Sequence, residues 1–370
     1  MTLEAAHRIH ADLPVIDGHN DLPWAIRIHH NGLDDADTSR PLPSRHTDTA
    51  RLLAGGVGGQ FWSVFVPAWD KSPFAATLEQ IDLVEEMCAR DPGLELVTTA
   101  AGLREARGSG RVAGMCGAEG GHCIEGSIDN LRELARRGVR YMTLTHADTI
   151  DWADSATDVA QHGGLTEFGL EVVREMNRLA MLVDISHVSA DTMRHAVATS
   201  TAPVIASHSN AYALADHPRN VPDDVLEAVG AGDGVVMVNF YPPFVLKEAA
   251  DQSVEMFAQA RALMAELGDE RAVDLALADR RASIPRGSVG AVVDHIEHIG
   301  RVAGPGAVGL GSDFDGIDLT TPGLEDVSCY PNITVELLRR GWDEPAIRGV
   351  LGGNVLRVLE TAEQVAGYGL

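Results

Sequence analysis

Short apolar runs and stretches of helical periodicity alternate along the chain from about residue 14 onward. The apolar runs lie at Pro14–Asp17, Gln60–Val66, Arg111–Ala118, Val139–Thr145, Met181–Ser186, Pro203–Ser207, Gly234–Phe240 and Ala307–Ser312. They are continuous rather than alternating, which predicts strands of a parallel sheet covered on both faces. Helical patterns separate most of them, as at Glu167–Leu179, Ala190–Ala198 and Pro222–Val229. The last of these starts with an early proline and with Asp223 and Asp224 in its first turn. Leu94–Val97 reads as an extra strand-like element, and Asn31–Asp48, with Pro41 and Pro43, as a long charged loop. Eight strands alternating with helices predict an α/β fold, a (β/α)8 TIM-like barrel with loop insertions, in one domain over residues 1–370. The runner-up is an open doubly wound sheet. Against it, no GxGxxG follows the first strand, and GGVGG at Gly55–Gly59 precedes a strand instead.

Composition narrows the partners. Hydrophobic residues make up 45% of the 370, enough for a large core, while 29 basic residues face 54 acidic ones. The resulting charge of −25 disfavours nucleic acid. Lys71 and Lys247 are the only lysines, which limits Schiff-base or carboxylated-lysine chemistry; Lys247 begins a predicted helix and reads as surface. Cys88, Cys116, Cys123 and Cys329 are scattered and form no CxxC pair, so buried free thiols are expected rather than disulfides or a thiolate zinc site. No signal peptide, no apolar run long enough to span a bilayer and no lipid-attachment tail are evident, so the expectation is a cytoplasmic protein without membrane attachment.

Six of the predicted strands run directly into a histidine or a carboxylate. PVID leads to His19 and Asp21, VAGMCGA to Glu119, YMTLT to His146, MLVDIS to His187, PVIAS to His208, and AVGLGS to Asp313. Barrel enzymes build their sites on this C-terminal rim, where side chains from different strands converge. A single polar residue at a strand end is ordinary loop polarity; imidazoles and carboxylates at six strand ends together point to a metal site. The HxD pattern alone is ambiguous, since it occurs at His10–Asp12, His19–Asp21, His46–Asp48 and His146–Asp148. The first and third lie outside predicted strand ends, but spacing leaves His146–Asp148 open as a ligand pair. His295 and His298 share a helix face that reads as solvated surface. Ligand counting favours His19, Asp21 and Glu119 on one metal and Glu119, His187 and His208 on a second. A shared hydroxide would complete an open, catalytic four-coordination at both. Zinc is the expected ion, with manganese or cobalt as alternatives.

At these residues the sequence resembles the membrane dipeptidase (renal dipeptidase) family of zinc metallopeptidases. The resemblance is carried by IDGHNDLPW, GGVGGQFWSVFVP, EGG, YMTLTHADTIDWADS, VDISHVSADTM, APVIASHSNAYAL, HPRNVPDDVL, VMVNFY, GSDFDG and GGNVLRVL, in that order from near residue 16 to about 358. It implies a distorted barrel with two Zn2+ ions on His19, Asp21, Glu119, His187 and His208, Glu119 bridging. It also implies His146 as the group that polarises substrate, Arg219 as the receptor for the dipeptide carboxylate and Asp313 as acid/base. Dipeptides, including those with a D-residue at the C-terminal position, are the implied substrates. Tyr241 is a candidate for the pocket wall and Asp315 for support of the site. A homodimer is allowed by the resemblance alone, and the membrane anchor of animal members is not carried over. The main alternative is another binuclear amidohydrolase-type enzyme, acting on a lactone, phosphoester or amidine. A phosphate-binding barrel would want glycines where the last strand delivers Asp313 and Asp315, and a non-catalytic binding protein would need no open metal set.

Overall fold

The computed structural model describes residues 2–367. Its strands are β1 (Val15–Asn20), β2 (Val57–Ser63), β3 (Leu94–Leu96), β4 (Val112–Glu119), β5 (Val139–Thr143), β6 (Leu182–Asp184), β7 (Ile205–Ala206), β8 (Val235–Val238) and β9 (Val308–Leu310). Each of the eight apolar runs therefore supplies one strand, and β3 is the extra element. All pairings are parallel, in the order β2-β1-β9-β8-β7-β6-β5-β4, and a β2–β4 pairing closes the ring. The chain is a (β/α)8 barrel. Its distortion centres on β4, whose first half pairs with β3 and whose second half pairs with β5.

The strands are apolar throughout because both faces are covered. One layer of side chains, including Ile16, Phe61, Met115, Tyr141, Leu182 and Met237, fills the barrel and meets Val355 and Leu359 of the Asn354–Val365 helix. A second, larger layer packs the outer strand faces against the surrounding helices. With its interior filled, the barrel leaves the rim at the strand C-termini as the place for chemistry.

The helices match the sequence pattern closely. Glu167–Arg178 and Ala190–Thr199 are capped by the Thr166 and Ser189 side chains, which accept from Gly169 and Thr192 N–H groups. In the third, Asp223–Ala231, Pro222 is the capping residue and lies just outside the helix. Residues 31–48 form no helix or strand, and Asp48 ends the loop by capping Thr49–Ala54. Lys247 opens the Lys247–Leu267 helix and its exposed ammonium pairs with Asp216.

The solvated reading of His295 and His298 is wrong. Both are buried on the inner face of the Val289–Val302 helix. His295 accepts from the Ala211 N–H at Nδ1 (3.1 Å) and donates from Nε2 to the Val245 carbonyl (2.9 Å). His298 contacts Asp223 through Nε2 at 2.7 Å. Arg301, three residues further on, lies along the same stripe and donates to His298 Nδ1 at 2.8 Å.

Burial pushes both His10 and His295 down to about 4, so each is neutral in the folded protein. An unfolded histidine titrates near 6.5. The stabilisation is therefore complete above about 6.5 and is lost as pH falls toward about 4. Each residue is expected to remove on the order of 3 kcal/mol across that window, at about 1.4 kcal/mol per pH unit. Urea unfolding with chelator present, from neutral to mildly acid pH, should show a shallower pH dependence in His295→Gln than in the parent. Equal slopes would refute the assignment.

Candidate metal centre

The site is built from the last residues of the strands. His19 lies in β1 with no exposed surface, and Asp21 follows at the start of the Leu22–His29 helix. His19 Nδ1 meets the Tyr141 hydroxyl at 2.7 Å, which fixes the ring. Nε2 then points into the site, buried and without a hydrogen-bond partner, 3.2 Å from Asp21 Oδ2 and 3.5 Å from Glu119 Oε2. Tyr141 reaches this position across the barrel because residue 117 is glycine. A Cβ there would lie 2.1 Å from the Tyr141 ring.

Glu119, the last residue of β4, faces two ways. Its Oε2 looks to His19 and accepts from Ser63 Oγ at 3.1 Å. Its Oε1 looks to His187 Nε2 at 3.0 Å, His208 Nε2 at 3.5 Å and His146 Nε2 at 3.9 Å. His187 and His208 bring their Nε2 atoms within 2.8 Å of each other. His208 is held from behind, with Nδ1 2.8 Å from Ser207 Oγ, whose hydroxyl donates to Asp184 at 2.6 Å. Ligands about 2.0–2.1 Å from a tetrahedral zinc stand roughly 3.3 Å apart, so these separations match edges of such a polyhedron. The orphaned His19 Nε2 and the His187 and His208 Nε2 atoms converge on the two oxygens of Glu119, a buried set of nitrogen and oxygen ligands that fits divalent metal.

The electrostatics agree. Burial drives His187 and His208 well below the usual histidine range, assisted by Arg219, so both offer lone pairs. Burial opposes the charge on Glu119, but His19 and His146 hold its carboxyl well below normal. Burial likewise opposes a proton on His19, yet Tyr141, Glu119 and Asp21 push it well above normal, marking a place that draws a cation. Asp313 Oδ2 accepts from Asn239 Nδ2 at 2.8 Å. Burial, with Asp21 and Glu119 close by, pushes its carboxyl up to about 8. His187, Asp313 and Asp315 all adopt left-handed backbone (φ 65°, 66° and 65°). Each such residue costs about 1–3 kcal/mol and tends to mark a functional site.

Arg219 is buried, with weak contacts to Ser209 Oγ and the His208 carbonyl, both at 3.4 Å. Its Nε has no partner, and its guanidinium lies 5.1 Å from the Phe244 ring centre. Burial pushes its pKa down to about 10. Among the described residues it forms no ion pair; Asp216 is taken by Lys247 and Asp223 by His298. A buried cation without an ion-pair partner is costly to maintain.

The five predicted ligands thus gather around Glu119, with His146 and Asp313 at the edges of the same clusters. Of the four HxD pairs, only His19–Asp21 enters whole. His10 lies in the first helix and bonds to Thr334, His46 accepts from the Asp315 N–H, and Asp148 turns out to Arg261. Asp315 braces the loop before Asp48 through the His46 N–H, at 2.8 Å. Tyr241 is buried against Phe244, with its hydroxyl on Asp318. Cys116 and Cys123 are buried free thiols outside every cluster. Sequence reading missed Ser63, Tyr141, Asp184, Ser207 and Asn239. Asn239 directly follows β8, so a search for any hydrogen-bonding residue at strand ends finds it. Tyr141 carries no local signal, because its role depends on His19 across the barrel and on its β4 pairing partner, Gly117.

The profile of the family described as membrane dipeptidase (peptidase family M19) matches residues 3–368. Dipeptidase verJ of Clonostachys rogersoniana is 39% identical over 378 residues, covering 98% of this chain and 88% of that protein. Dipeptidase 3 of Mus musculus is 39% identical over 370 residues, covering 98% and 67%. The crystal structure of the probable dipeptidase PvdM from Pseudomonas aeruginosa superposes with a TM-score of 0.84 at 23% identity, over 98% of this chain and 99% of that one. A metallopeptidase from Rhodobacter sphaeroides, liganded with a phosphinate mimic of L-Ala-D-Ala, gives 0.77 at 24% identity, over 95% and 99%.

Proposed function

This chain belongs to the membrane dipeptidase family of metallopeptidases, and from that premise we propose that it hydrolyses dipeptides with two divalent ions, zinc in the first instance. His19, Asp21 and Glu119 hold one ion, and Glu119, His187 and His208 the other. The observation that carries this reading is that the two oxygens of Glu119 face separate groups of ligand atoms. Ions bound there supply Lewis acidity and bring the pKa of a water to about 7.

The protein's own groups do the rest. Arg219 binds the substrate carboxylate, which the uncompensated guanidinium supports. This fixes one end of the substrate at a set distance from the scissile bond. His146, neutral because burial lowers its pKa, donates an N–H to the carbonyl oxygen as negative charge develops there. With the charge of bound ions offsetting the repulsion from Asp21 and Glu119 that raises its pKa, Asp313 would be ionised and take a proton from the attacking water on Oδ1, while Asn239 holds Oδ2. The new C–O bond forms, the C–N bond breaks, and Asp313 returns the proton to the departing amine. Tolerance of a C-terminal D-residue is part of the proposal, supported by the L-Ala-D-Ala mimic in the Rhodobacter sphaeroides structure. Four unpaired cysteines suit a reducing, cytoplasmic setting, and among the described residues no helix is long and apolar enough to cross a membrane.

Metal analysis joined to an assay on L–L and L–D dipeptides and their C-terminal amides tests this reading. Two ions per chain, dipeptide cleavage and poor use of the amides are expected. Arg219→Ala should keep its metal and lose about a hundredfold in kcat/KM, the scale of an unpaired buried charge. Two ions without dipeptide cleavage would break the central claim, and metal loss in Arg219→Ala would remove that residue's role.

A further inference from the structure

The hairpin formed by the Lys247–Leu267 and Glu270–Ala282 helices lies on the same rim as the metal cluster, yet contributes no residue to it. Met256, Val273, Leu277 and Ile284 pack in one buried group with Tyr241 and Phe244, which follow β8, and with Ile317 and Leu319, which follow β9. From the opposite side the hairpin is tied down by Arg261. Its guanidinium donates to Asp158 Oδ1 at 2.6 Å and to the Ala147 carbonyl at 2.9 Å, with Asp148 Oδ1 at 3.5 Å. These partners belong to the loop after β5 that carries His146.

Strand order gives this arrangement its meaning. The hairpin leaves the rim after β8 and rests on the loop after β9; in the ring β1-β2-β4-β5-β6-β7-β8-β9, three strands separate β5 from β9 in either direction and two separate it from β8 by the shorter path, so Arg261 ties the β8–β9 side of the mouth to the β5 side. A helix of 21 residues is about 30 Å long, enough to cross that mouth. The loop that receives Arg261 is itself knit together. Ser155 Oγ donates to the His146 carbonyl (2.7 Å), Thr157 Oγ1 to the Ala147 carbonyl (3.0 Å), and the Thr149 N–H to Asp158 (2.9 Å). A pull on Ala147 is therefore a pull on His146. At the other end, Phe244 both packs under the hairpin and carries the Arg219 guanidinium on its ring.

We propose that the Lys247–Leu267 helix is a strap roofing the catalytic mouth. Arg261 is its clasp, a positioning residue that seats His146 and sets the upper limit on substrate length at two residues. The proposal rests on the dipeptidase reading above. An exposed ion pair contributes little to global stability, so the clasp acts on local geometry rather than on the fold.

The test compares the parent, Arg261→Ala and Arg261→Lys as metal-loaded full chains, on a dipeptide and on a tripeptide extending it. In Arg261→Ala, kcat for the dipeptide should fall about tenfold with a smaller rise in KM, because His146 acts on charge that develops in the transition state. The tripeptide-to-dipeptide ratio of kcat/KM should rise by about the same factor. Arg261→Lys, which keeps a donor, should recover most of both. Hydrogen exchange on the metal-free proteins should show faster exchange in residues 146–158 and 247–267 of Arg261→Ala, and parent rates elsewhere. An unchanged ratio with unchanged exchange overturns the clasp. If Arg261→Ala does not fold, Asp158→Asn with the same readouts decides. A parent that cleaves no dipeptide defeats the dipeptidase reading instead, and the exchange rates still decide whether Arg261 clasps the loop.

Discussion

Replacing Glu119 by glutamine is expected to empty both metal positions and to reduce dipeptide hydrolysis by more than about a thousandfold, the scale of several kcal/mol of ion-supplied charge stabilisation. Glutamine keeps the size and can still accept from Ser63, so the fold has no steric reason to change. What it loses is the pair of equivalent anionic oxygens that now face His19 on one side and His187 and His208 on the other. An amide presents one oxygen and one NH2 group, and the latter points a donor where a cation should sit. Losing any single histidine removes a ligand from one ion, whereas losing Glu119 removes one from each. Elemental analysis after dialysis is the direct check. Thermal unfolding with and without added zinc is the second, since ligand binding to the native state raises the midpoint. The parent should shift upward and Glu119→Gln should not. A variant that retains two ions would end the bridging assignment.

The strands were legible because a parallel sheet buried on both faces writes itself as continuous apolar runs. Even β7, only Ile205–Ala206 by hydrogen bonding, stood out as PVIAS. The cluster was legible for a related reason. Barrel strands end at the site, so His19, Glu119, His187, His208 and Asp313 each follow an apolar run directly. Residues that act across the barrel were not. Tyr141 lies within β5 and looks like core, and its bond to His19 exists only because Gly117 leaves room opposite. The Asp184–Ser207–His208 relay joins two strands through a carboxylate that sequence places inside an apolar run. His295 and His298 failed in the opposite direction. They lie on a buried stripe whose polar groups are satisfied by Ala211, Val245 and Asp223, all remote in sequence. The helix at Lys247 could be read as a helix, but nothing local says that it crosses the mouth.

Asp313→Asn separates proton transfer from metal binding. The variant should hold its full metal complement, fold with a parent-like midpoint, and lose turnover by about a thousandfold, within the range ascribed to a positioned acid/base group. Asparagine is the informative substitute for two reasons. Residue 313 adopts φ 66°, a left-handed conformation that asparagine tolerates far better than alanine, so backbone strain does not confuse the result. Its side-chain oxygen can also take the Asn239 Nδ2 bond that Asp313 Oδ2 now accepts at 2.8 Å. The free end of the side chain then carries an NH2 group toward Asp21, in the space that the absence of a Cβ at Gly316 leaves open. That group has no basic lone pair at neutral pH, so it can neither take the proton from water nor hand one to the departing amine. Because binding groups are untouched, KM should stay near the parent value while kcat falls. Near-normal turnover would remove Asp313 from the proton path. A fall accompanied by metal loss would instead make it a ligand, grouped with His19 and Asp21, its nearest neighbours in the cluster.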